Sequence, residues 1–356
     1  MIIQDNISLA PLTTFRVGGP ARYFIDARSE QDVLDAVSVA AAGQFPLFVL
    51  GGGSNLVVSD EGWPGLVLKV SISGLEFRND PTNPTIIAGA GENWDSLVAL
   101  AVSKHCAGLE CLSGIPGTVG GTPVQNVGAY GQEAAETITS VRVLEISTGK
   151  VIDLNPDECG FSYRTSIFNS THHGWYIVMQ VTYTLNRGAT PTIEYADLKK
   201  YFAGRSGTAT LQQTREAVRS IRNSKAMLLV EGDEDCRSAG SFFKNPVVTK
   251  PEAERVDALA HQRVPGKVMP WYPAEDGMIK LSAAWLVEQA GFAKGYTRGP
   301  AAISRKHSLA IVNRGGAKAT DIIALKDEIQ QRVLNLWGLA LVPEPVFVGF
   351  GDQPPR

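Results

Sequence analysis

The most constraining feature of this sequence is a glycine-rich segment of eighteen residues that runs from Gly114 to Gly131. Six of the eighteen are glycine, where the average composition of the chain would give about two. Glycine is costly to order and adds no side-chain packing, so its repetition indicates backbone that turns sharply or approaches a ligand closely. The N–H groups exposed in such turns bind anions, most often phosphate. The segment therefore predicts a phosphate-binding loop, with a structural double turn as the alternative.

A second glycine-rich sequence, Gly-Gly-Gly-Ser-Asn at residues 51–55, directly follows a predicted strand. Neither segment completes the GxGxxG dinucleotide fingerprint, because Leu56 stands where the third glycine would be, and no P-loop sequence occurs. Two separate phosphate-binding loops from two small domains suit a pyrophosphate cofactor held outside a Rossmann fold. The alternative for residues 51–55 is an ordinary turn from a strand into a loop.

Composition and charge argue against several classes of function. The chain has 356 residues with 33 basic and 36 acidic side chains, so it lacks the basic excess that binds nucleic acid. No apolar run approaches the roughly 18 residues of a membrane span, and the first residues lack a signal-peptide pattern, so we expect a cytoplasmic protein. The four cysteines form no CxxC pair, so we expect buried thiols and no metal site.

The pattern of predicted helices and strands changes near residues 70 and 212. These changes predict three domains, at residues 1–70, 71–211 and 212–356. In the first, Ser29 and Asp32 resemble a capping box that starts a helix ending at Gly43. Apolar and β-branched runs predict strands at 45–50, 66–70, 85–88, 141–146 and 176–183, with a helix over 94–104. The first two domains are therefore expected to mix helix and strand.

The third predicted domain is also mixed. Helices are expected over 213–223 and 281–289, and a third helix is expected to be capped by Thr320 and ended by Gly338. Strands are expected at 308–312 and 345–348. The acidic run at residues 231–235 is expected to be an exposed loop, because a charge run is usually solvated.

Further motifs accompany the glycine-rich segments. In chain order, the sequence has TFRVGGPA at 14–21, LGGGSN at 50–55, the 114–131 segment, YRTS at 163–166, GSFFKNP at 240–246 and HSL at 307–309. Together they resemble the UDP-N-acetylenolpyruvoylglucosamine reductases, the MurB family of bacterial cell-wall synthesis, over nearly the whole chain. The 114–131 and 240–246 matches are highly specific, whereas the glycine triplet alone is a weak signal.

The resemblance implies an α+β fold. It consists of a two-subdomain FAD-binding region of the PCMH, or vanillyl-alcohol-oxidase-like, type and a C-terminal α/β substrate-binding domain, whose last strand is expected to pack back on the second subdomain. The resemblance also implies non-covalent FAD, NADPH as electron donor and UDP-N-acetylglucosamine enolpyruvate as acceptor, in peptidoglycan synthesis. We expect a monomer that binds neither nucleic acid nor membrane.

The resemblance assigns catalysis to Arg164, Ser241 and Glu344. Reducing a C=C bond conjugated to a carboxylate builds negative charge that needs fixed positive charge or hydrogen-bond donors. Arg164 is the expected clamp, because the guanidinium fork matches a carboxylate and stays protonated. Ser241 is the expected proton donor to carbon. Glu344 is expected to polarise the carboxylate end or to relay the proton.

The sequence departs from the family pattern at Glu344, because Pro345 and Val346 follow it where the family usually has Val-Arg. Proline removes one backbone donor and biases the preceding residue toward extended geometry. A position at a strand edge tolerates such a change, and the spacing from Glu344 to Gly349 still fits the family, so the assignment is kept.

Cofactor and substrate contacts are also carried over from the family. FAD is expected to bind, chiefly through main chain, to Arg16, Val17, Gly18, Gly19, Gly51, Gly52, Gly53, Ser54, Asn55, Ser113, Gly114, Ile115, Pro116, Gly117, Gly120, Gly121, Gln125, Asn126, Gly128, Ala129 and Tyr130. Substrate is expected to contact Tyr195, which matches the loop tyrosine of the longer family subtype, and Lys225, Asn245 and Gln289.

Two other classes of function are alternatives to the reductase. An FAD oxidase or dehydrogenase of a small alcohol would leave the 240–246 motif unexplained. A non-catalytic nucleotide-binding protein with the same fold would be expected to have lost one of the three catalytic residues, and all three positions are filled. The colour of the purified protein, and its bleaching by NADPH, would discriminate among these functions.

Overall fold

A computed structural model describes residues 1–204 and 207–351 of the chain. The described residues divide into two compact units, each assembled from separate stretches of the chain. Unit 1 comprises Met1–Ile7, Ala21–Gly53 and Pro64–Leu229, and unit 2 comprises Ser8–Pro20, Ser54–Trp63 and the chain from Val230 onward. The expected division into three domains stays a prediction.

The described residues form eight α-helices. They are α1 (Glu30–Ala42), α2 (Trp94–Ser103), α3 (Pro156–Cys159), α4 (Ala196–Phe202), α5 (Leu211–Ser224), α6 (Lys250–Arg263), α7 (Ala283–Gln289) and α8 (Ala319–Trp337). The first five helices belong to unit 1 and the last three to unit 2. Within the described ranges, no helix has the length and apolar character needed to cross a membrane.

Strands alternate with these helices along the described chain. They are β1 (Ile3–Ser8), β2 (Pro20–Ala27), β3 (Leu47–Leu50), β4 (Leu56–Val58), β5 (Trp63–Val70), β6 (Leu75–Arg78), β7 (Thr85–Gly89), β8 (Cys106–Ala107), β9 (Gly128–Ala129), β10 (Gln132–Glu133), β11 (Ile138–Glu145), β12 (Lys150–Leu154), β13 (Tyr176–Thr184), β14 (Asn186–Arg187), β15 (Val247–Val248), β16 (Trp271–Pro273), β17 (Ile279–Leu281), β18 (Thr297–Arg298), β19 (Ala301–Ile303), β20 (Ile311–Asn313) and β21 (Val346–Val348).

Unit 1 is built on two larger sheets. A four-stranded sheet has the order β1-β2-β5-β3, with β3 parallel to β5, and an antiparallel five-stranded sheet has the order β12-β11-β13-β7-β6. Helix α1 begins as predicted, because the Ser29 side chain accepts from the Asp32 N–H and the Asp32 carboxylate accepts from the Ser29 N–H. The inward-facing side chains of both sheets pack with α1 and α2 in one apolar core.

Unit 2 has two three-stranded antiparallel sheets, β15-β17-β16 and β18-β19-β20, packed with α6, α7 and α8. The predicted apolar face of α8 is confirmed: Ile322, Leu325, Ile329 and Val333 are fully buried. Gly338 ends this helix in the left-handed region, at φ +68°, where a glycine is free of side-chain clash.

The last strand, β21, pairs in parallel with β4 inside unit 2. Its sheet partner is therefore a strand from the first seventy residues, which corrects the prediction that it packs on residues 71–211. Parallel pairing needs a long connection, which residues 59–345 supply.

Several sequence predictions need correction at element ends. Thr320 does not cap α8, because the helix already begins at Ala319 and the Asp60 carboxylate accepts from the N–H groups of Ala319 and Thr320. The predicted 281–289 helix begins at Ala283, because Leu281 ends β17 and Ser282 is the N-cap. The strand predicted at 308–312 lies at Ile311–Asn313.

The acidic run at residues 231–235 is only partly the exposed loop that was predicted. Glu231 and Glu234 are exposed, but Asp235 is buried and its carboxylate lies 3.0 Å from Arg314 Nη2. The Arg305 N–H also donates to that carboxylate, at 3.1 Å. A buried carboxylate with these two partners is satisfied, so a distant arginine that the local sequence does not show decides its burial.

Candidate active site

The two predicted cofactor loops meet in unit 1. A Cβ atom on Gly52 would lie 2.6 Å from the Cα of Gly117 and 2.9 Å from the backbone N of Thr118. A Cβ on Gly51 would lie 3.2 Å from the Thr118 hydroxyl oxygen. The glycines thus allow two backbones to approach more closely than residues with side chains could. The structure therefore brings together residues 51–52 and the start of the 114–131 segment.

The glycine-rich segment is docked through its backbone. The N–H of Val119 donates to the Glu92 carbonyl and that of Gly120 donates to the Ala90 carbonyl, both at 2.9 Å. Gly114 and Gly117 adopt φ values of +72° and +128°, which favour glycine. These bonds and turns fix the loop against the chain that links β7 to α2.

Several side chains within the segment or next to it are committed to structural contacts. The Ser113 hydroxyl donates to the Glu110 carbonyl at 2.6 Å, and the Asn126 amide donates to the Glu133 carboxylate at 2.6 Å. Tyr130 packs in a small core with Leu198 and Val218, and its burial raises the pKa of its phenol to about 12. Any cofactor contact from these residues is therefore expected through main chain, as the sequence analysis proposed.

The loop junction offers groups that suit an anionic cofactor. The Thr118 hydroxyl oxygen is buried and has no hydrogen-bond partner among the described residues. A Cβ on Gly121 would meet nothing within 4 Å, so this glycine borders open space. A hydroxyl donor beside exposed loop backbone is typical of phosphate sites. In contrast, no cluster of three or more His, Cys, Asp or Glu in the described ranges could hold a metal, and the four cysteines are buried and free.

Arg164 lies against the far end of the same segment. Its Nη2 donates to the Gly128 carbonyl at 2.6 Å, and its backbone has a φ of +55°, in the left-handed region. The tight turn that carries it is closed by mutual backbone bonds between Ser162 and Thr165 at 3.0 Å. An unusual backbone conformation at an arginine is a feature of constrained functional sites. The structure thus places the predicted charge clamp next to a predicted cofactor residue.

Two predicted substrate residues lie close together in unit 1. The Tyr195 ring packs edge-on against Tyr130, with centroids 5.5 Å apart, and Tyr195 is 47% exposed. Lys225, at the end of α5, pairs with Asp197 of α4, with Nζ and Oδ2 2.6 Å apart. A half-exposed tyrosine and a lysine at one surface fit a polar, anionic ligand.

The predicted cofactor residues near the chain start belong to unit 2. A Cβ on Gly18 would lie 2.6 Å from the Val58 Cβ, and one on Gly19 would lie 2.1 Å from the Asp60 carbonyl oxygen. Buried Asn313 donates to the carbonyls of Phe15 and Arg16 at 3.0 and 3.4 Å. Close packing inside unit 2 therefore explains why these positions are glycine, and their contact with FAD stays a prediction.

Ser241 is held on a backbone ladder in unit 2. Its hydroxyl lies 3.1 Å from His307 Nε2, within hydrogen-bond distance. The next residue, Phe242, donates from its N–H to the Leu309 carbonyl at 2.7 Å and is fully buried. Gly240 before it has a φ of +74°. The hydroxyl therefore stands at a glycine turn beside a buried aromatic wall, as the sequence predicted, with a histidine partner that the sequence did not reveal.

Glu344 lies on the segment whose backbone pairs with the residues that follow Ser241. Its N–H donates to the Phe242 carbonyl at 2.8 Å, and its carbonyl accepts from the Asn55 side chain at 3.2 Å. The Val346 N–H donates to the Asn55 carbonyl at 2.9 Å. The backbone bonds thus fall on residues 344 and 346, so Pro345 can lack an N–H without leaving an acceptor unsatisfied. The structure brings Ser241, His307, Glu344 and Asn55 together.

The other two predicted substrate residues lie at opposite ends of α7. The Asn245 side-chain oxygen accepts from the Ala283 N–H at 3.0 Å, so this side chain helps to cap the start of the helix. Gln289 is the last residue of α7 and is half-buried. The side-chain oxygen of Asn245 is thus already committed, and any contact with substrate would fall to its amide nitrogen.

Comparison with known proteins accounts for both units. The family model described as "UDP-N-acetylenolpyruvoylglucosamine reductase, C-terminal domain" matches residues 232–348, and the "FAD binding domain" model matches residues 21–155. The UDP-N-acetylenolpyruvoylglucosamine reductase of Thermobifida fusca (strain YX) is 44% identical over 348 residues, which cover 97% of each chain. The chain belongs to the UDP-N-acetylenolpyruvoylglucosamine reductase family.

Other members of the reductase family agree with this assignment. The protein of that name from Nocardia farcinica (strain IFM 10152) is 44% identical over 98% of this chain and 90% of its own length. The crystal structure of the MurB reductase from Thermus caldophilus superposes with a TM-score of 0.65 at 26% identity, covering 98% of this chain and all of that one.

Family membership confirms the predicted class, a flavin-dependent oxidoreductase with FAD as cofactor. It also confirms the predicted α+β fold, with an FAD-binding region followed by a C-terminal domain of the reductase family. The roles of individual residues stay predictions.

Sequence reasoning missed several residues that the geometry places at these sites. His307 was noticed only as part of a motif, and Asp95, Arg222 and Asp197 were not singled out. Each contacts a predicted site residue. His307 contacts Ser241, and Asp197 pairs with Lys225. Asp95 and Arg222 both bind Gly114. Their spacing in sequence is long or irregular, so the sequence carried no local signal for these contacts.

Proposed function

We propose that this protein reduces the enolpyruvyl C=C bond of UDP-N-acetylglucosamine enolpyruvate to give UDP-N-acetylmuramate, with NADPH as electron donor and FAD as carrier. The names of its relatives support a reductase of this sugar nucleotide. The observation that carries the mechanism is the Ser241 hydroxyl, held 3.1 Å from His307 on the ladder that also positions Glu344.

The loops at residues 51–53 and 114–121 would hold the FAD pyrophosphate. Their glycines let the two backbones approach closely, and the buried Thr118 hydroxyl adds a donor without a partner among the described residues. Bound FAD supplies hydride transfer, first from NADPH and then to the terminal carbon of the substrate alkene. The protein supplies orientation and electrostatics for both transfers.

Arg164 would stabilise the negative charge that develops on the substrate. Hydride addition leaves an enolate conjugated with the substrate carboxylate, and a fixed guanidinium fork lowers the free energy of that charge. The bond from Arg164 Nη2 to the Gly128 carbonyl holds the guanidinium in place before substrate binds. A preorganised charge avoids the cost of reorganisation during the reaction.

Ser241 would protonate the carbon next to the carboxylate. A serine hydroxyl is a weak acid, but an enolate carbon is basic enough to take its proton when the geometry is fixed. His307 Nε2 lies within reach of the Ser241 oxygen and would orient the hydroxyl and return a proton after transfer. Ser241 would give its proton to the substrate carbon, His307 would return a proton to the serine oxygen, and His307 would take a proton from solvent, so that both residues regain their starting state.

Glu344 would act at the carboxylate end of the substrate. Its backbone is fixed next to Phe242 and Asn55, so its side chain is anchored on the same ladder as Ser241. A carboxyl group in this position polarises the acceptor or takes part in proton relay when it is protonated. Tyr195, Lys225, Asn245 and Gln289 would bind the sugar and diphosphate parts.

Separate half-reactions test this proposal. The purified protein should be yellow, NADPH should bleach it, and the enolpyruvyl sugar nucleotide should restore the colour. Ser241→Ala should leave bleaching near normal and slow reoxidation by roughly 10²–10⁴-fold, the usual contribution of a positioned proton donor.

A matched control separates chemistry from folding. Ser38→Ala removes an exposed hydroxyl on α1 and should change neither half-reaction. Normal reoxidation in the Ser241 variant would remove this serine from the mechanism. A colourless wild-type protein that takes up no FAD would overturn the whole proposal.

The monomeric state and the cytoplasmic location stay predictions. Light scattering on the yellow protein would test the first, and fractionation of the producing cell would test the second.

A further inference from the structure

One face of α5 carries three arginines at positions 215, 219 and 222, a spacing that places them on one side of a helix. Arg215 makes a two-pronged pair with Asp95, with N–O distances of 2.6 and 3.0 Å, and Arg219 also contacts the Asp95 carboxylate. Asp95 lies in the first turn of α2. The proposed mechanism uses none of these four residues.

Asp95 and Arg222 bind both polar backbone atoms of Gly114, the first residue of the glycine-rich segment. The Gly114 N–H donates to Asp95 Oδ1 at 2.6 Å, and the Gly114 carbonyl accepts from Arg222 Nε at 3.1 Å. Arg222 is 8% exposed, and its Nη2 donates to the Met227 carbonyl at 2.7 Å. One guanidinium thus ties the first residue of the segment to the chain just after α5.

The packing at Gly114 leaves little freedom for this loop to shift. The residue has a φ of +72°, and a Cβ there would lie 2.8 Å from the Leu228 side chain. Buried donors and acceptors are costly to leave unpaired. Loss of the Arg222 contacts would therefore leave the carbonyls of Gly114 and Met227 without this donor and would release the loop.

The charges on this face are unequal. The single carboxylate of Asp95 binds two guanidinium groups, those of Arg215 and Arg219, whereas the partners of Arg222 are neutral carbonyls and the Tyr130 phenol. The loop that starts at Gly114 therefore has excess positive charge behind it. Such an excess, in a partly desolvated position, favours an anion on the loop.

We infer that Arg222 and Asp95 are positioning residues for the FAD pyrophosphate: they clamp the Gly114 peptide and so hold the following loop, with its buried Thr118 hydroxyl, in the shape that receives the anion. This inference rests on the proposed function, because it takes FAD as the ligand of the loop. It assigns to α5, which lies outside the matched FAD-binding region at residues 21–155, a share in cofactor binding.

The test is FAD affinity measured by ultrafiltration of the yellow holoenzyme and of variants reloaded with FAD. Arg222→Gln should raise the Kd for FAD at least tenfold, because the amide loses both the charge and the fork. Arg222→Lys keeps the charge but cannot reach two carbonyls as a fork, so we expect a rise of about threefold. Glu216→Gln, on the exposed face of the same helix, is the control and should stay within twofold of wild type.

If Arg222 positions an anion site, Arg222→Lys should restore part of the FAD affinity that Arg222→Gln loses. If Arg222 only packs α5 against the protein, the two variants should lose affinity equally. A Kd within twofold of wild type for Arg222→Gln would overturn the inference. Equal losses for the glutamine and lysine variants, matched by equal falls in the melting temperature of the FAD-free proteins, would also overturn it. If the glutamine variant does not fold, the lysine variant decides: a threefold rise supports the clamp and an unchanged Kd refutes it. Failure of the proposed function would show instead as a wild-type protein that binds no FAD.

Discussion

The segment from Gly114 to Gly131 in unit 1 and the segment from Gly240 to Asn245 in unit 2 solve different problems. The first presents backbone: its turns depend on glycine, and the side chain of Asn126 is already bonded to Glu133. The second presents a side chain: its backbone is tied to neighbouring segments, and the Ser241 hydroxyl is directed to His307.

This difference predicts which changes each region tolerates. A backbone site should be destroyed by an added Cβ, whereas many changes of side chain should spare it. A side-chain site should show the reverse, because its backbone bonds survive a change of functional group. Both segments use glycine. In the 114–131 segment glycine allows the close backbone approach itself, whereas in the 240–245 segment Gly240 only forms the turn before Ser241.

The largest effect should come from the loop junction. Gly52→Ala would place a Cβ 2.6 Å from the Gly117 Cα, a backbone atom that cannot move away cheaply. We expect FAD affinity to fall at least a hundredfold, measured by retention of yellow colour through gel filtration. Ser38→Ala, at an exposed position on α1, is the control and should keep the colour. Equal retention by the two variants would break the distinction between the regions.

A smaller effect is expected at the side chain that contacts the glycine-rich segment. Arg164→Lys keeps the charge but loses the fork, so reoxidation by substrate should slow by about a hundredfold, while FAD stays bound. Stopped-flow reoxidation of the reduced protein measures this rate. Arg142→Lys, in a partly exposed ion pair with Glu30, is the control. A mild effect at Arg164 would point to a structural role for this arginine.

Asp95 binds the Gly114 N–H and pairs with Arg215, so the free energy of unfolding should depend on pH in the acid range. Burial raises the pKa of Asp95, but hydrogen bonds from Arg215 and Gly114 outweigh it, so the pKa lies below its usual 3.8. Because the folded-state pKa is the lower one, the stabilisation is present above about pH 4 and is lost as pH falls through the folded-state pKa. Asp95→Asn should therefore lower the melting temperature at pH 7 by more than at pH 3. The same deficit at both pH values would contradict the pairing.

The smallest effect is expected at Pro345, which follows the predicted catalytic residue Glu344. Backbone bonds fall on Glu344 and Val346, so Pro345→Ala restores an N–H where the ladder does not need one. We expect a loss of about 0.4–1 kcal/mol in unfolding free energy from the freer unfolded chain, with both half-reactions within twofold of wild type. A large change in reoxidation would show that the proline itself sets the position of Glu344.

The sequence predicted elements well where the signal is local. The capping box at Ser29 and Asp32 and the apolar period of α8 depend on residues a few positions apart, and both are confirmed. It failed where the partner is distant. The start of α8 is capped by Asp60, and Asp235 is buried through Arg314, and neither partner can be read from a short window.

The same limit applies to the candidate site. Family motifs named Arg164, Ser241 and Glu344, and the structure gives each of them a defined environment. The contact partner of Ser241, His307, lies 66 residues away, and its motif gave no sign of that contact. Resemblance to family motifs identifies the groups expected to do chemistry more readily than the groups that orient them.

The parallel pairing of β21 with β4 has a consequence for how the protein is made. Residues 8–20 and 54–63 leave the ribosome early, yet they are completed by strands and helices from beyond residue 230. The early stretches must therefore wait, without their apolar partners, until translation is nearly finished. Synthesis of this enzyme thus includes a long interval in which Phe15, Val17 and Val57 are open to chaperones and to other nascent chains.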